Sequence, residues 1–462
     1  KVAPDGARVT FLQGREEDRR QLDLWEYHIA DGDRRLLVDS TALLGGTEKR
    51  DEVERARRER QRNFNTGITE YRFSPDGRSL LFPLGGDLYY LPIGGEPRRL
   101  TNTPVTETDA RISPAGGFVS FVREQNLYLI DLASGAESAV TRDGGGTISY
   151  GMAEFVAQEE MYRFTGYWWS EDDRWLAYTR VDEAGVTLVN RYEIGAEGVT
   201  SMPQRYPFAG EANAEVRLFL LDRQSGETRE IDWRRADDDY LVRVDFAPDS
   251  TLAVQRQSRD QQRLDLVFVE PRTLEPTLVL TEQADTWLNL HSDLNFFKQD
   301  DRFLWTSERD GYRHLYLYRR DGTLERQLTS GAWALADTNR SGGAVRALDE
   351  KRGQVWFLGH RDTPIEQHLY RVDLDGGTEP IRITGAGGWH DAEVAPDGEL
   401  FVDRGSAPDR PPYTAIRDRD GERLAWILEN PLDETHPYQA YRSGHRPRDF
   451  GTLPGADGTA LH

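Results

Sequence analysis

SPDGRSLLFPLGGDLYYLPIGGEPRRLT, residues 74–101, contains the turn and strand pattern on which the fold depends. The proline presets the backbone of the second turn position, and the aspartate and glycine after it tolerate the tight backbone that follows. Short hydrophobic strands then alternate with glycine-containing turns, which is typical of consecutive β-hairpins. The stretch therefore predicts a small antiparallel sheet.

The same turn recurs along the whole chain and is followed each time by alternating strands and polar hairpins. Its copies, the last three weaker than the others, begin at Ala3, Ser74, Ser113, Ser170, Ala247, Lys298, Leu348 and Ala395. Four strands in a repeat of roughly 40 to 50 residues are typical of a β-propeller blade, because stacked sheets bury faces that one blade leaves open. The sequence thus predicts an all-β fold, an eight-bladed β-propeller of four-stranded antiparallel blades over residues 1–446.

Three segments are additional to the strands and turns of a regular repeat. Residues 48–65 are rich in arginine and in helix-forming residues, and residues 152–163 have a composition of Ala, Glu, Gln and Met that favours a short helix. Residues 180–215 predict an extended arm. Such excursions from a regular scaffold are where binding residues are concentrated.

The composition restricts the classes of ligand. The chain has 80 acidic and 58 basic residues and a formal net charge of -22, which disfavours nucleic acid and anionic membrane surfaces and favours amine-bearing ligands. Cysteine is absent, and the nine histidines form no HExxH motif, so the sequence predicts no metal site and no cofactor. No apolar run approaches the length of a membrane span, and the opening residues KVAPDGARVTF predict a turn and a strand and not a signal peptide.

Two adjacent carboxylates, Glu159 and Glu160, lie within the second excursion. An acidic chain produces such pairs by chance, as at Glu16 and Glu17, so a solvated surface is one interpretation. On a helix the two side chains can lean over one rim, with Phe155, Met161 or Tyr162 anchoring the other side. Like charges held close repel unless a cation joins them, and a primary ammonium offers three donors. The alternative interpretation is therefore an amine-binding site.

The arginines of residues 48–65 allow two interpretations. They form a solvated helix with Glu to Arg pairs, or one of Arg57, Arg58 and Arg60 reaches a carbonyl or carboxylate in a shared cavity through its fork of donors. The chain lacks the G-x-S-x-G nucleophile motif, and its nearest approach, TISYG at residues 147–151, lacks the first glycine. We therefore predict no catalytic residue in this chain.

Three segments in a fixed order carry a family resemblance: EFVAQEEMYRFTGYWWSEDDRWLAYTRVDE from Glu154, QRYPFAGEANAEVRLFLLD from Gln204 and SERDGYRHLYLY from Ser307. With them the chain resembles the N-terminal propeller of the dipeptidyl peptidase IV family, serine peptidases of the prolyl oligopeptidase clan, in its bacterial branch. The resemblance implies that Glu159 and Glu160 bind the N-terminal ammonium of a peptide. It also implies a substrate-binding arginine, for which Arg57 and Arg58 are the best matches.

The family's catalytic part is an α/β-hydrolase domain with a Ser, Asp and His triad, and residues 447–462 resemble the lead-in to it. The resemblance therefore implies a parent enzyme that releases N-terminal dipeptides of the Xaa-Pro or Xaa-Ala type, of which this chain is the substrate-recognition and gating propeller, inactive alone. It further implies a homodimer formed through the arm and a periplasmic or secreted location. The rival hypothesis is a noncatalytic propeller that serves as a scaffold for protein–protein interaction.

Overall fold

The structure, a computed structural model, describes residues 1–46, 54–55, 58–59, 62–336 and 342–462. Its described residues form an eight-bladed β-propeller of mostly four-stranded antiparallel sheets with very little helix, which confirms the predicted fold. The insertion predicted at residues 48–65 falls mostly outside the described residues; those of it that are described at 54–55 and 58–59 are helical.

Each blade follows the order of the chain. Blade 1 contains β1 (Arg8–Gly14), β2 (Gln21–His28), β3 (Arg34–Val38) and β4 (Thr66–Gly67), and blade 2 contains β5 (Arg72–Phe73), β6 (Ser79–Leu84), β7 (Asp87–Pro92) and β8 (Arg98–Arg99). Blade 3 contains β9 (Thr108–Ile112), β10 (Phe118–Arg123), β11 (Asn126–Asp131) and β12 (Glu137–Ala139). Blade 4 contains β13 (Ile148–Tyr150), β14 (Tyr167–Trp169), β15 (Trp175–Asp182), β18 (Glu215–Asp222) and β19 (Glu227–Ile231).

Blades 5 to 8 are regular four-stranded meanders. Blade 5 contains β20 (Tyr240–Phe246), β21 (Leu252–Gln257), β22 (Arg263–Val269) and β23 (Pro276–Gln283), and blade 6 contains β24 (Asn295–Phe296), β25 (Arg302–Ser307), β26 (His314–Arg319) and β27 (Leu324–Gln327). Blade 7 contains β28 (Val345–Asp349), β29 (Gln354–Gly359), β30 (His368–Asp373) and β31 (Ile381–Arg382). Blade 8 contains β32 (Trp389–Val394), β33 (Leu400–Ala407), β34 (Arg410–Asp418) and β35 (Arg423–Leu428).

Besides the helical residues at 54–55 and 58–59, the described structure contains two further hairpins and three short helices. Blade 1 is irregular because β4 joins β2 in parallel, and in blade 4 both β13 and β14 pair with β15. The predicted arm contains a two-stranded hairpin that pairs over eight positions. The remaining elements are β16 (Leu188–Gly195) and β17 (Gly198–Arg205) in the arm, β36 (Leu453–Pro454) and β37 (Ala460–Leu461), and the helices α1 (Ser40–Leu44), α2 (Phe155–Glu159) and α3 (Gln439–Arg442).

The described chain divides into two compact units. One comprises residues 1–11, 26–35 and 291–462, and the other residues 12–25 and 36–290. Within each unit, the cores lie between consecutive blades: Trp233 belongs to the core of blades 4 and 5, and Phe357 to that of blades 6 and 7. The inner strands have consecutive buried hydrophobic residues, and successive side chains point to opposite faces, so one strand supplies the cores on both sides: Leu80 and Leu81 of β6 belong to different cores.

Serine, aspartate and glycine fix the recurring turn. Ser74 donates its hydroxyl to Asp76 at 2.6 Å and accepts the backbone N–H of Ser79 at 2.9 Å, while Gly77 adopts a left-handed φ of 71°. The side chains thus satisfy backbone groups that a tight turn leaves unpaired.

The turn at Ser113 lacks the local aspartate because Ala115 occupies its place. Asp173, from the corresponding turn of the next blade, accepts the Ser113 hydroxyl at 2.6 Å and the Ala115 N–H at 2.8 Å. One carboxylate therefore joins the turns of blades 3 and 4.

A threonine hydroxyl accepts the backbone N–H of a leucine in four blades. The bonds are Leu88 to Thr101, Leu127 to Thr141, Leu315 to Thr329 and Leu369 to Thr384, at 2.9 to 3.2 Å. In blades 6 and 7 the residue before the leucine is a buried histidine whose Nδ1 lies 3.1 Å (His314) and 3.0 Å (His368) from the same hydroxyl.

These histidines predict a loss of stability in mild acid. Burial lowers the pKa of both His314 and His368 from the ordinary value of about 6.5, although a hydrogen bond that Glu366 accepts from Nε2 opposes the shift at His368. The unfolded chain then binds protons more tightly, so the free energy of unfolding is at its full value above about pH 6.5 and falls as the pH drops below it.

Thermal unfolding measured between pH 7.5 and 5.5 checks this expectation. The control is the double variant His314→Asn/His368→Asn, because Asn126 occupies the equivalent position in blade 3 and accepts the Thr141 hydroxyl at 3.1 Å. The variant should show a flatter dependence on pH, and an identical slope in both proteins would contradict the assignment.

Candidate functional site

The short helix α2 lies between β13 and β14 and carries the predicted Glu pair. Ala153, Ala157 and Met161, spaced four residues apart, pack with Tyr240 and Leu290 in a small core. This spacing buries one face of the turn and leaves the other open.

The helix is shorter than the predicted range of residues 152–163. Glu159 is its last residue, and Glu160 caps it by donating its backbone N–H to the carbonyl of Val156 at 2.9 Å. Tyr162 then adopts a left-handed φ of 54°, which turns the chain away from the helix axis. Both carboxylates therefore lie at the end of a single turn of helix.

A buried ion pair, Glu154 with Arg163, brackets α2. Arg163 Nη2 lies 2.9 Å from Glu154 Oε2, the side chains are 3% and 7% exposed, respectively, and Arg163 also donates to the carbonyl of Thr165. The backbone N–H of Arg163 bonds to the carbonyl of Ala157. The segments before and after the helix are therefore fixed to each other.

Arg243 holds the residue that follows the Glu pair. Its Nη2 donates to the carbonyl of Met161 at 2.7 Å. Burial, reinforced by the nearby charge of Arg163, lowers the pKa of Arg243 to about 10, so the guanidinium stays charged at neutral pH. A cation is favourable there because the carbonyls at a helix C-terminus are electron-rich.

Glu159 opens into a cavity of about 430 Å³, a volume in the range of small-ligand sites. Glu159 is half-buried, whereas Glu160 is exposed and is not among the described residues that line the cavity. The lining residues are Glu59, Arg62, Phe155, Glu159, Val189, Asn190, Arg191, Gln204, Tyr206 and Phe208.

Three aromatic residues, Phe155, Tyr206 and Phe208, form one side of the cavity, and we call them the aromatic wall. Phe155 packs edge-on against Tyr206 with ring centroids 5.2 Å apart, and Tyr206 packs edge-on against Phe208 at 5.1 Å. Phe155 comes from α2, and the other two residues follow the arm strand β17. The wall thus joins the helix to the base of the arm.

Charged groups from two excursions supply the rest of the cavity. Arg191 of the arm pairs with Glu59 of the insertion at 3.0 Å, and both side chains are nearly half exposed. Arg62 ends the insertion with a left-handed φ of 56° and exposes its side chain at the cavity. A carboxylate and arginine donors therefore face the same space.

A second cavity has a volume of about 600 Å³ and an acidic lining, but one of its aspartates already forms hydrogen bonds within its own loop. It includes Asp237, Asp238 and Asp239. Asp239 accepts the backbone N–H groups of Arg235 and Ala236 at 2.9 and 3.0 Å, which closes their loop. Within the described ranges, no group of three or more histidine or acidic residues is placed to hold a metal ion.

Residues 95–412 match the family model of the dipeptidyl peptidase IV (DPP IV) N-terminal region. The chain belongs to the dipeptidyl peptidase IV family. It is 29% identical over 352 residues to a probable dipeptidyl-aminopeptidase B of Emericella nidulans, covering 70% of this chain and 38% of that protein. It is 30% identical over 360 residues to a probable dipeptidyl-aminopeptidase B of Aspergillus fumigatus, covering 71% and 38%.

The fold also matches a solved structure of the family. The crystal structure of Porphyromonas gingivalis dipeptidyl peptidase 4 superposes with a TM-score of 0.80 at 22% identity, covering 100% of this chain and 63% of that one. The match with the fungal relatives spans just under two fifths of their length. Among the described residues, no helix is long and apolar enough to cross a membrane.

The arginines predicted for this DPP IV propeller have different surroundings. Arg57 lies outside the described residues. Arg58 is buried, donates through Nε to Glu54 at 2.5 Å and through Nη1 to the carbonyl of Asn65 at 3.1 Å, and is not among the described residues that line the cavity. The structure brings Arg62 to the cavity instead.

Sequence reasoning left the substrate-binding arginine open within residues 57–62 without singling out Arg62, and it did not identify Tyr206 and Phe208 as cavity residues. Arg62 lies at the end of the arginine-rich segment, and the Asn63 and Asn65 beside it were the signal that the helix stops there. Tyr206 and Phe208 are separated from α2 by about fifty residues, and no local pattern links them to it.

Proposed function

We propose that this chain is the substrate-recognition and gating propeller of a serine-type dipeptidyl aminopeptidase, with Glu159 and Glu160 as its clamp for the N-terminal ammonium of a peptide. The observation that carries the proposal is the Glu159 carboxylate at a ligand-sized cavity, on a helix held by one buried ion pair and by hydrogen bonds. The names of the fungal relatives, dipeptidyl-aminopeptidase B, support the reaction class.

The clamp acts through charge. An ammonium donates three hydrogen bonds, and its bonds to carboxylates are stronger than those between neutral groups. Glu159 supplies an acceptor at the cavity, and the exposed Glu160, the next residue along the chain, adds a second negative charge. A blocked amine brings no cation to the carboxylates and still displaces their water, so it binds poorly.

The clamp also measures length. An extended chain advances about 3.3 to 3.6 Å per residue, so two residues reach about 7 Å from the clamp to the bond that is cut. A hydrolase domain whose nucleophile lies at that distance releases dipeptides. The preference for proline or alanine at the second residue belongs to that domain.

Arg62 is the described arginine of the insertion best placed to hold the substrate backbone. Its planar fork of donors suits a peptide carbonyl. Arg58 supports the segment from inside through Glu54 and Asn65. Arg57 stays a prediction for the same role.

The arm is the surface that we assign to a homodimer. Ile194 and Val199 lie opposite each other on the hairpin and are 81% and 62% exposed, and Tyr192, on the same strand face as Ile194, is 64% exposed. Exposed apolar residues grouped in this way mark interaction surfaces. The α/β-hydrolase domain as a partner and a periplasmic or secreted location follow from the family resemblance alone.

The test compares two substrates that differ only in an acetyl group on the first nitrogen, using the full-length gene product. We expect release of the dipeptide from the free-amine peptide and about a hundredfold lower kcat/KM for the acetylated one, because the half-buried carboxylate of Glu159 is then left without a cation. Equal turnover of both peptides would refute the clamp. Absence of peptide cleavage under all conditions would favour the noncatalytic scaffold.

A further inference from the structure

The position of the clamp depends on contacts from outside α2. The helix has five residues, and Glu154 at its start makes no side-chain capping bond within the described residues. A helix of a single turn is not stable alone, because its first turn fixes several residues for one hydrogen bond. Glu159 and Glu160 therefore lie where the neighbouring elements hold the end of the helix.

The first strand of blade 5, β20, supplies two of these contacts. Its Tyr240 packs against the small core that contains Met161. Three residues further along the strand, Arg243 donates through Nη2 to the carbonyl of Met161 at 2.7 Å. Glu160 is the residue before Met161, and its own N–H is bonded to the carbonyl of Val156. The backbone is thus held on both sides of the Glu160 side chain.

A β-bulge directs Arg243 toward this carbonyl. In the pairing of β20 with β21, the register shifts between Leu241 and Arg243, which leaves Val242 as the extra residue. Bulges re-aim side chains and are frequent beside functional sites. The Nη1 of Arg243 donates to the carbonyl of Val242 at 2.8 Å, so the bulge also fixes the guanidinium that it directs.

The contact uses the geometry of an arginine. A guanidinium presents its donors in a rigid, planar fork, and here one branch holds Val242 while the other holds Met161. Hydrogen bonds from a charged donor are stronger than those between neutral groups. The ammonium of a lysine is a compact point charge on a flexible stem, so it does not reproduce the fork.

We propose that Arg243 is a positioning residue for the clamp, through which the first strand of blade 5 controls where Glu159 and Glu160 meet the ammonium. The inference rests on the proposed function and concerns the control of the same site. Arg243 is not among the described residues that line the cavity, so it acts through the backbone of Met161. A displaced Met161 moves the carboxylates, and a displacement of about 1 Å can cost about a hundredfold in rate.

The experiment measures kcat/KM of the full-length gene product for alanyl-proline p-nitroanilide and for its N-acetyl derivative. The ratio of the two values reports on the clamp, because only the free amine brings a cation to it. Arg243→Met should lower this ratio about tenfold, through a higher KM for the free-amine substrate, and leave the acetylated substrate unchanged. Arg243→Lys, which keeps the charge but not the fork, should give an intermediate ratio.

The matched control is Arg256→Met. Arg256 lies on β21 of the same blade and also holds a backbone carbonyl, that of Trp233, at 2.8 Å, which is outside α2. Its side chain pairs with the buried Asp265 at 3.2 Å. Loss of Arg256 should therefore lower the stability of the protein and retain the substrate ratio. Denaturant unfolding of each variant distinguishes a loss of stability from a loss of the clamp.

Two results would overturn the inference. One is an unchanged ratio in Arg243→Met, and the other is an equal loss on both substrates, since that would make Arg243 only a support for the fold. If Arg243→Met does not fold, Arg243→Lys decides by the same two outcomes. Failure of the proposed function is recognised in the unmodified protein, which would then cleave both substrates alike, and the inference would fall with it.

Discussion

Glu159→Gln is expected to lower kcat/KM for free-amine dipeptide substrates by about a hundredfold, chiefly through a higher KM. Glutamine keeps the size of the side chain but removes the charge and replaces one acceptor oxygen by a donor. Loss of one charge-assisted hydrogen bond in a half-buried site corresponds to about 3 kcal/mol, and each 1.4 kcal/mol is about tenfold. The measurement is steady-state kinetics of the full-length gene product.

The chain offers a matched control for this substitution. Glu16 and Glu17 are an equally adjacent acidic pair, both exposed between β1 and β2 and not among the described residues that line the cavity. Glu16→Gln should leave the kinetics unchanged, and Glu160→Gln should have a smaller effect than Glu159→Gln because Glu160 is exposed and is not among the described residues that line the cavity. Unaltered kinetics in Glu159→Gln would remove the basis for the clamp.

Arg163→Met is expected to lower the free energy of unfolding by about 3–5 kcal/mol. The substitution leaves Glu154, only 7% exposed, as a buried charge without its ion-pair partner. The double variant Glu154→Gln/Arg163→Met should recover much of the loss because it removes both charges. Denaturant unfolding followed by fluorescence measures all three proteins.

Arg217→Met is the control for the ion pair. Arg217 lies 2.7 Å from Glu215, also in blade 4, but the two side chains are 43% and 48% exposed. Surface pairs contribute at most about 1 kcal/mol, so this variant should be nearly as stable as the unmodified protein. Similar losses from Arg163→Met and Arg217→Met would show that the pair beside α2 has no special structural role.

The repeat was predictable because each blade contains its own turn chemistry. The turn at Ser74 has its proline, aspartate and glycine in consecutive positions, and eight such turns were enough to predict eight blades. The turn at Ser113 shows the limit of this argument, since its aspartate is Asp173 and comes from the next blade. Local sequence predicts a turn there but not the group that completes it.

The candidate site was predictable only in part, because it too combines local features with residues that come from distant parts of the chain. The Glu pair and the short helix follow from local composition, and Glu54 precedes Arg58 by the four residues expected of a helical ion pair. The cavity depends on residues far apart in the chain, since Phe155 meets Tyr206 across about fifty residues. The length of α2 was overestimated because Tyr162 turns the chain with a positive φ that propensity does not reveal.

The central claim is tested most directly by a crystal structure of this chain with a bound dipeptide that has a free amine. We expect the ammonium nitrogen about 2.7–3.2 Å from a carboxylate oxygen of Glu159. An ammonium bound elsewhere, with the cavity beside Glu159 filled only by water, would contradict it.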